Sequence, residues 1–179
     1  MVNIRNVVTR LPELRFEEPL NWIIEEGQQW AVIGPNGAGK TLIADVMQRK
    51  FALKEGEVTF GYEGNVSNLV KSIAFKDIYS LADCRNSYYQ QRWHSTETDE
   101  VPTIEDILNE DAGSEDYHNV LSLFGIEEFL SKKLIFLSSG ELRKFLIVRT
   151  LLKRPRVLIL DNPFIGLDAP SRGVLVEML

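Results

Sequence analysis

The sequence predicts an α/β fold, with a mostly parallel core sheet and an antiparallel strand pair at its N-terminus. Three observations predict it. The apolar run Trp30-Ala31-Val32-Ile33 leads through a glycine-rich turn into a helical pattern. A second apolar run, Val157 to Leu160, ends on Asp161, and between the two lie mainly segments of helical period. Buried strands alternating with helices are the pattern of a parallel sheet covered on both faces.

A chain of 179 residues is long enough for one domain with a real core and too short to lead us to expect two. Its 44% hydrophobic and 26% charged residues are ordinary for a globular protein. The formal charge of −6, with no long Lys/Arg run, argues against nucleic acid as a partner. One cysteine, Cys84, excludes an intrachain disulfide, and no Cys/His cluster has zinc spacing. A reducing, cytoplasmic setting is the simplest reading. No stretch approaches the roughly 18 apolar residues of a membrane span. Direct membrane insertion is therefore not expected, and a membrane role would run through a partner.

In chain order, Val2 to Val8 and Leu20 to Glu25 read as strands separated by the breakers Pro12 and Pro19. Trp30 to Ile33 reads as a strand buried on both faces. From Lys40 onward Leu42, Ile43, Val46 and Met47 recur at helical spacing. Residues 56 to 62 and 66 to 75 read as extended. Asp77 to Val101 is polar and weakly patterned, which predicts a long, partly mobile connection. Thr103 to Asn109 and Glu115 to Lys133 read as helices, the second burying Val120, Leu121, Phe124, Phe129 and Leu130. Glu141 to Lys153 is a strongly periodic helix that leads through Pro155 to the strand Val157 to Leu160.

The chemistry begins at "GPNGAGKT", residues Gly34, Pro35, Asn36, Gly37, Ala38, Gly39, Lys40 and Thr41, followed by Leu42. It fits G-x-x-x-x-G-K-[ST] with strand before and helix after, the context in which that pattern has a mechanism. The glycines let successive N–H groups turn inward to cradle phosphate oxygens, and the helix N-terminus adds partial positive charge. Lys40 would reach the β- and γ-phosphates, and the Thr41 hydroxyl would hold Mg²⁺. "LSSGELRK", Leu137 to Lys144, has two readings. Ser138 with Glu141 three residues later is a capping box, and serines and a glycine at a helix N-terminus also make a phosphate-binding surface.

The order GPNGAGKT, YYQQRW, LSSGE, RVLILDNPFIGLD resembles the ATP-binding cassette (ABC) ATPases over essentially the whole chain. The resemblance implies a P-loop NTPase fold with ATP and Mg²⁺ as cofactors and an α-helical subdomain. It implies one incomplete nucleotide-binding domain over 1–179, with a RecA-like core of about 1–76 and 154–179. The Q-loop and helical subdomain would span about 77–153, and the family's domain would continue past Leu179. LSSGE corresponds to the signature, so Ser138, Ser139, Gly140 and Glu141 would meet the γ-phosphate of an ATP held by a second cassette, in a homodimer or a tandem chain. Gln90 or Gln91 is similar to the Q-loop glutamine, which senses Mg²⁺ and the γ-phosphate; either fits. Asp161 would bind Mg²⁺ through water. Asp168 resembles the D-loop aspartate, which helps join the cassettes, and "DAPS" also fits a plain helix cap; both roles can coexist.

Three departures from the family stand out. Asn162 occupies the place of the glutamate that polarises the attacking water. Its amide can orient a water but cannot take a proton near neutral pH. A positioned base contributes about 10²–10⁴ in rate. The family's switch histidine lies beyond Leu179, and only His94 and His118 occur here. Where related cassettes present a ring to adenine, the spacing falls near Leu11; Phe16 and Tyr62 are the nearby rings and read as core before platform.

The resemblance implies an ABC ATPase subunit that energises a membrane transporter through a transmembrane permease, peripheral on the inner face of the cytoplasmic membrane, with hydrolysis at its own site impaired. A nucleotide-gated regulatory or assembly module and a tandem ABC protein not tied to transport are the alternatives. LSSGE, YYQQR and DNPFIGLD resemble the tandem-cassette ATP-binding proteins of molybdenum or molybdate transport.

Overall fold

The computed structural model describes residues 1–11, 13, 16–74, 101–109, 112–113 and 115–178. Most of the expected connection from Asp77 to Val101, with Gln90, Gln91 and His94, lies outside the described residues. The chain divides into two compact units, residues 1–72 with 156–159 and residues 73–155 with 160–179.

In the first unit, β1 (Val2–Thr9) lies between β2 (Leu20–Ile24) and β3 (Leu53–Phe60), antiparallel to both, as expected for the first pair. Alternation puts Val2 and Ile4 on one face of β1, where they are 1% exposed and join Val58 and the helix α1 (Lys40–Met47) in one apolar core. The register of β1 shifts against both neighbours near Asn6, which takes the left-handed conformation at φ 47°. Opposite it Gly56, at φ 82°, brings its Cα so close that a Cβ would lie 2.3 Å from the Arg5 and Asn6 carbonyl oxygens. Only glycine fits there.

Two expectations fail in this unit. Residues 29–35 form no strand, and Trp30, Val32 and Ile33 are 57%, 44% and 89% exposed. An apolar run becomes a strand only by pairing with neighbours, and the Trp30 ring instead stacks edge-on against Trp22 at 5.4 Å. Residues 66–75 are not extended throughout. Asn65 accepts from the Ser67 N–H and caps a one-turn helix, α2 (Val66–Leu69), before β4 (Val70–Ala74) begins. β4 pairs with β5 (Val157–Asp161).

The second unit is mainly helical. Thr103 and Asp106 form a reciprocal capping box that starts α3 (Ile104–Leu108). The single helix expected from Glu115 to Lys133 is broken: α4 (Tyr117–Leu123) ends before Gly125, whose φ of 63° turns the chain into a 3₁₀ turn over Ile126–Phe129. Helical apolar spacing persists across that break, which is why periodicity alone reads straight through it. α5 (Ser139–Leu152) packs on α4 and buries Phe145, Leu146 and Val148. α6 (Ala169–Met178) buries Leu175.

Candidate functional site

The glycine-rich loop lies wholly in the first unit. A turn closed by the Ala38 N–H on the Pro35 carbonyl (3.3 Å) is followed by Gly39 at φ 86°, the residue from which α1 starts. Glycine has no side chain to cap the helix, so the first turn of α1 opens onto the loop with its positive end uncapped. Lys40 folds back over the loop, and its ammonium donates to the carbonyls of Gly34 and Pro35, both at 2.8 Å. Lys40 is thus held against the loop by two of its backbone carbonyls. Leu42 is buried and anchors the helix in the core, while Thr41 is exposed.

Phe16 is half-buried, packs on the same core and lies 3.4 Å from where a Gly39 Cβ would stand. It buttresses the loop, in agreement with its reading as core. Tyr62 faces the Arg156 guanidinium at 5.4 Å, and Leu11 is 45% exposed.

The remaining predicted residues that the structure describes lie in the second unit. Ser138 caps α5: its Oγ accepts from the Glu141 N–H at 3.2 Å, and Glu141 accepts from the Ser138 N–H at 2.8 Å. The capping reading of LSSGE is therefore correct as local structure. Lys132 donates to the other Glu141 oxygen at 2.6 Å, and this ammonium is the main reason the Glu141 carboxyl falls from 4.5 to about 2. Ser139 is exposed and Gly140 partly so.

β5 ends on the half-buried Asp161, and the next residue turns sharply: Asn162 sits at φ 52° and its Nδ2 donates to Asp161 Oδ1 at 3.1 Å. Asparagine is among the few L-residues that adopt this conformation readily.

Three contacts join α5 to the loop after β5. The fully buried Arg143 donates from Nη2 to the Asn162 carbonyl at 2.9 Å. A Cβ on Gly140 would stand 3.2 Å from the Gly166 carbonyl oxygen, so a larger residue would push the two segments apart. Lys144 pairs with Asp168 at 2.7 Å, and Asp168 also accepts from the Ser171 N–H at 2.8 Å, capping α6. Lys144 first, and Ser171 after it, hold the Asp168 carboxyl well below the usual carboxylate range. The signature segment, Asn162 and Asp168 thus belong to one connected structure.

Sequence reasoning missed Arg143, Lys144 and Lys132. Arg143 had a usable signal, since it stands three and four residues before Leu146 and Ile147 on the buried face of α5. Lys132 had none, lying nine residues before its partner in an irregular segment.

The ABC transporter family profile matches residues 18–165. An uncharacterized ABC transporter ATP-binding protein of Schizosaccharomyces pombe is 32% identical over 162 residues, covering 85% of this chain and 33% of the relative. The ABC transporter ATP-binding protein ModF of Escherichia coli is 30% identical over 165 residues, covering 87% and 31%. The chain spans about a third of the length of these relatives. Among solved structures, the ATP-binding subunit of an ABC transporter superposes with a TM-score of 0.73 over 99% of this chain and 72% of that one, at 23% identity. That likeness establishes the P-loop NTPase fold. With the glycine-rich loop, the capped LSSGE segment and a carboxylate-bearing strand end covered by one family match, the chain belongs to the ABC transporter family of ATP-binding domains.

Proposed function

We propose that this chain binds Mg-ATP and works as one half of a nucleotide clamp whose other half is a second ABC cassette. The observation that carries the reading is the uncapped start of α1 behind the loop 34–41, with the Lys40 ammonium held over it by two carbonyls. An anion with several oxygens suits both a helix start that no side chain caps and the ammonium, and ATP supplies one.

Among the described residues, no group of three His, Cys, Asp or Glu side chains could hold an ion unaided. A hydroxyl on Thr41 and a carboxylate on Asp161 suit Mg²⁺, which keeps waters and takes substrate phosphate oxygens as ligands. When bound, the ion neutralises charge on the β- and γ-phosphates. Of Gln90 and Gln91, Gln91 is our choice for a further metal contact. The domain plan stays as the resemblance implies, with a core of about 1–76 and 154–179 and a helical subdomain of about 77–153.

Energising a membrane transporter is the role we favour for the pair, and no helix among the described residues is long and apolar enough to cross a membrane. A permease partner would supply that crossing. Molybdate or another oxyanion as cargo has only the motif spellings behind it, and its recognition would lie in other subunits. Asn162 favours a second reading beside the first: a clamp that closes on ATP and opens slowly, with assembly or regulation as its output.

Calorimetric titration tests the binding step. Mg-ATP should bind the chain, and Lys40→Ala should weaken it by about 10- to 100-fold, the loss expected for charge-assisted hydrogen bonds of roughly 1.5–3 kcal/mol. Equal affinity in the two proteins would remove the loop from the site.

A further inference from the structure

The fifth residue of the signature segment is a glutamate, and its carboxylate stands at a helix N-terminus that the proposed clamp would press against a partner's phosphates. An ionised carboxylate beside a phosphate is repulsive, and water is excluded as the interface closes. The structure answers that problem with a residue outside every motif. Lys132 Nζ lies 2.6 Å from Glu141 Oε1, while Glu141 Oε2 accepts from the Ser138 N–H at 2.8 Å. The two carboxylate oxygens are thus divided, one neutralised by a cation and one fixing the start of α5. Among the described residues the N–H groups of Ser139 and Gly140 make no hydrogen bond, so the cap leaves donors over for an incoming anion.

Lys132 is itself held. Its N–H donates to the Phe129 carbonyl at 3.0 Å and its carbonyl accepts from the Ile104 N–H at 3.0 Å. Thr103 bridges to Lys133 in an antiparallel pair, and the Leu134 N–H donates to the Pro102 carbonyl at 3.2 Å. The backbone on both sides of Lys132 is therefore stitched to the start of α3, the first described element after residue 100. The ammonium reaches Glu141 from a fixed base.

We propose that Lys132 is the positioning residue of the signature: it neutralises Glu141 and holds it in the capping geometry, so that the N-terminus of α5 can accept a partner's phosphate. This rests on the clamp reading above. With glutamine at position 141 the cap survives and no charge needs neutralising, so Lys132 becomes dispensable.

The test uses the chain with Lys132→Met, Lys132→Arg, Glu141→Gln and the double variant Lys132→Met/Glu141→Gln. Hydrogen exchange without nucleotide is read at the Ser138 and Glu141 amides, the two donors of the cap. Lys132→Met should speed their exchange by about tenfold, the loss typical of a helix cap. Lys132→Arg should restore the slow rate. Mg-ATP-driven self-association, measured by sedimentation, should weaken by about tenfold in Lys132→Met and recover in Lys132→Arg and in the double variant. ATP affinity at the loop 34–41, measured at a chain concentration too low for association, should stay the same in Lys132→Met and Lys132→Arg.

Unchanged amide exchange in Lys132→Met would overturn the positioning role. An association defect that persists in the double variant would overturn it too, because Lys132 would then be acting on the phosphate directly. A wild-type chain that binds ATP without associating would sink the self-pairing form of the clamp, while the exchange comparison still decides for or against the hold of Lys132 on Glu141.

Discussion

Restoring the family's glutamate by Asn162→Glu should make this protein less stable and, in an assembled pair of cassettes, faster. Both signs follow from the turn after β5. Asn162 is held at φ 52°, and moving a longer L-residue into that conformation costs about 1 kcal/mol. The 3.1 Å bond from Asn162 Nδ2 to Asp161 Oδ1 is lost, because a carboxylate cannot donate, for about 0.5–1 kcal/mol more. Two adjacent carboxylates then repel by roughly 1 kcal/mol in a solvated loop. The sum, about 2–3 kcal/mol, corresponds to a melting temperature lower by about 4–12 °C in a chain of this size. Against that, a carboxylate able to take a proton from the attacking water should raise hydrolysis at this site by about 10- to 100-fold. Under the clamp proposed above that gain needs a second cassette's signature, so the same change in this chain alone should alter stability and leave turnover flat. Differential scanning calorimetry and steady-state phosphate release separate the two effects. A wild-type chain that hydrolyses ATP at an ordinary enzymatic rate by itself would refute the reasoning, and so would an assembled Asn162→Glu pair that is destabilised yet no faster.

Gly56→Ala should be severely destabilising, by about 3 kcal/mol or more, because its Cβ would collide with two carbonyls of β1 in a conformation that alanine also disfavours. A thermal melt checks this, and a drop of less than about 3 °C would mean that the strand pair can relax around the methyl group. Acid should loosen the start of α5. The Glu141 carboxyl is ordinarily near 4.5 and is lowered to about 2 in the fold, chiefly by Lys132, so its stabilisation is complete above pH 4.5 and is lost as the pH falls from there towards 2. The lowered Asp168 carboxyl acts in the same direction. Urea midpoints taken from pH 6 down to pH 3 should fall, and should fall less in Lys132→Met, where Glu141 starts without its main partner.

The parts of this molecule that a linear pattern determines were legible in the sequence. The strands β1 and β2 with the breakers between them, the helix starting at Lys40, the helix after Thr103, the capping box at Ser138 and a strand ending at Asp161 each show in short stretches of the sequence. What failed depended on partners elsewhere in the chain or on a single backbone angle. Trp30 to Ile33 has the composition of a strand, but composition cannot supply the neighbour that a ladder requires. Gly125 breaks a helix whose apolar spacing continues on its far side. Lys132 meets Glu141 from a backbone that is hydrogen-bonded to the start of α3, far from both in sequence.

Asn162 shows how the two kinds of information combine. Read as a letter, it stands where the resemblance implies a base, and the expected consequence is weakened catalysis. In the structure it is also a residue suited to its backbone angle and a donor to Asp161, and its own carbonyl accepts from the buried Arg143 of α5. Asn162 therefore adds order to the turn, since a buried guanidinium on one side and an amide hydrogen bond on the other both restrain it. Under the function proposed above, a turn that is ordered in this way and lacks a carboxylate base suits holding ATP better than cleaving it. Ordered binding and slow turnover are then expected together, and a variant that gains turnover at this position should lose part of that order.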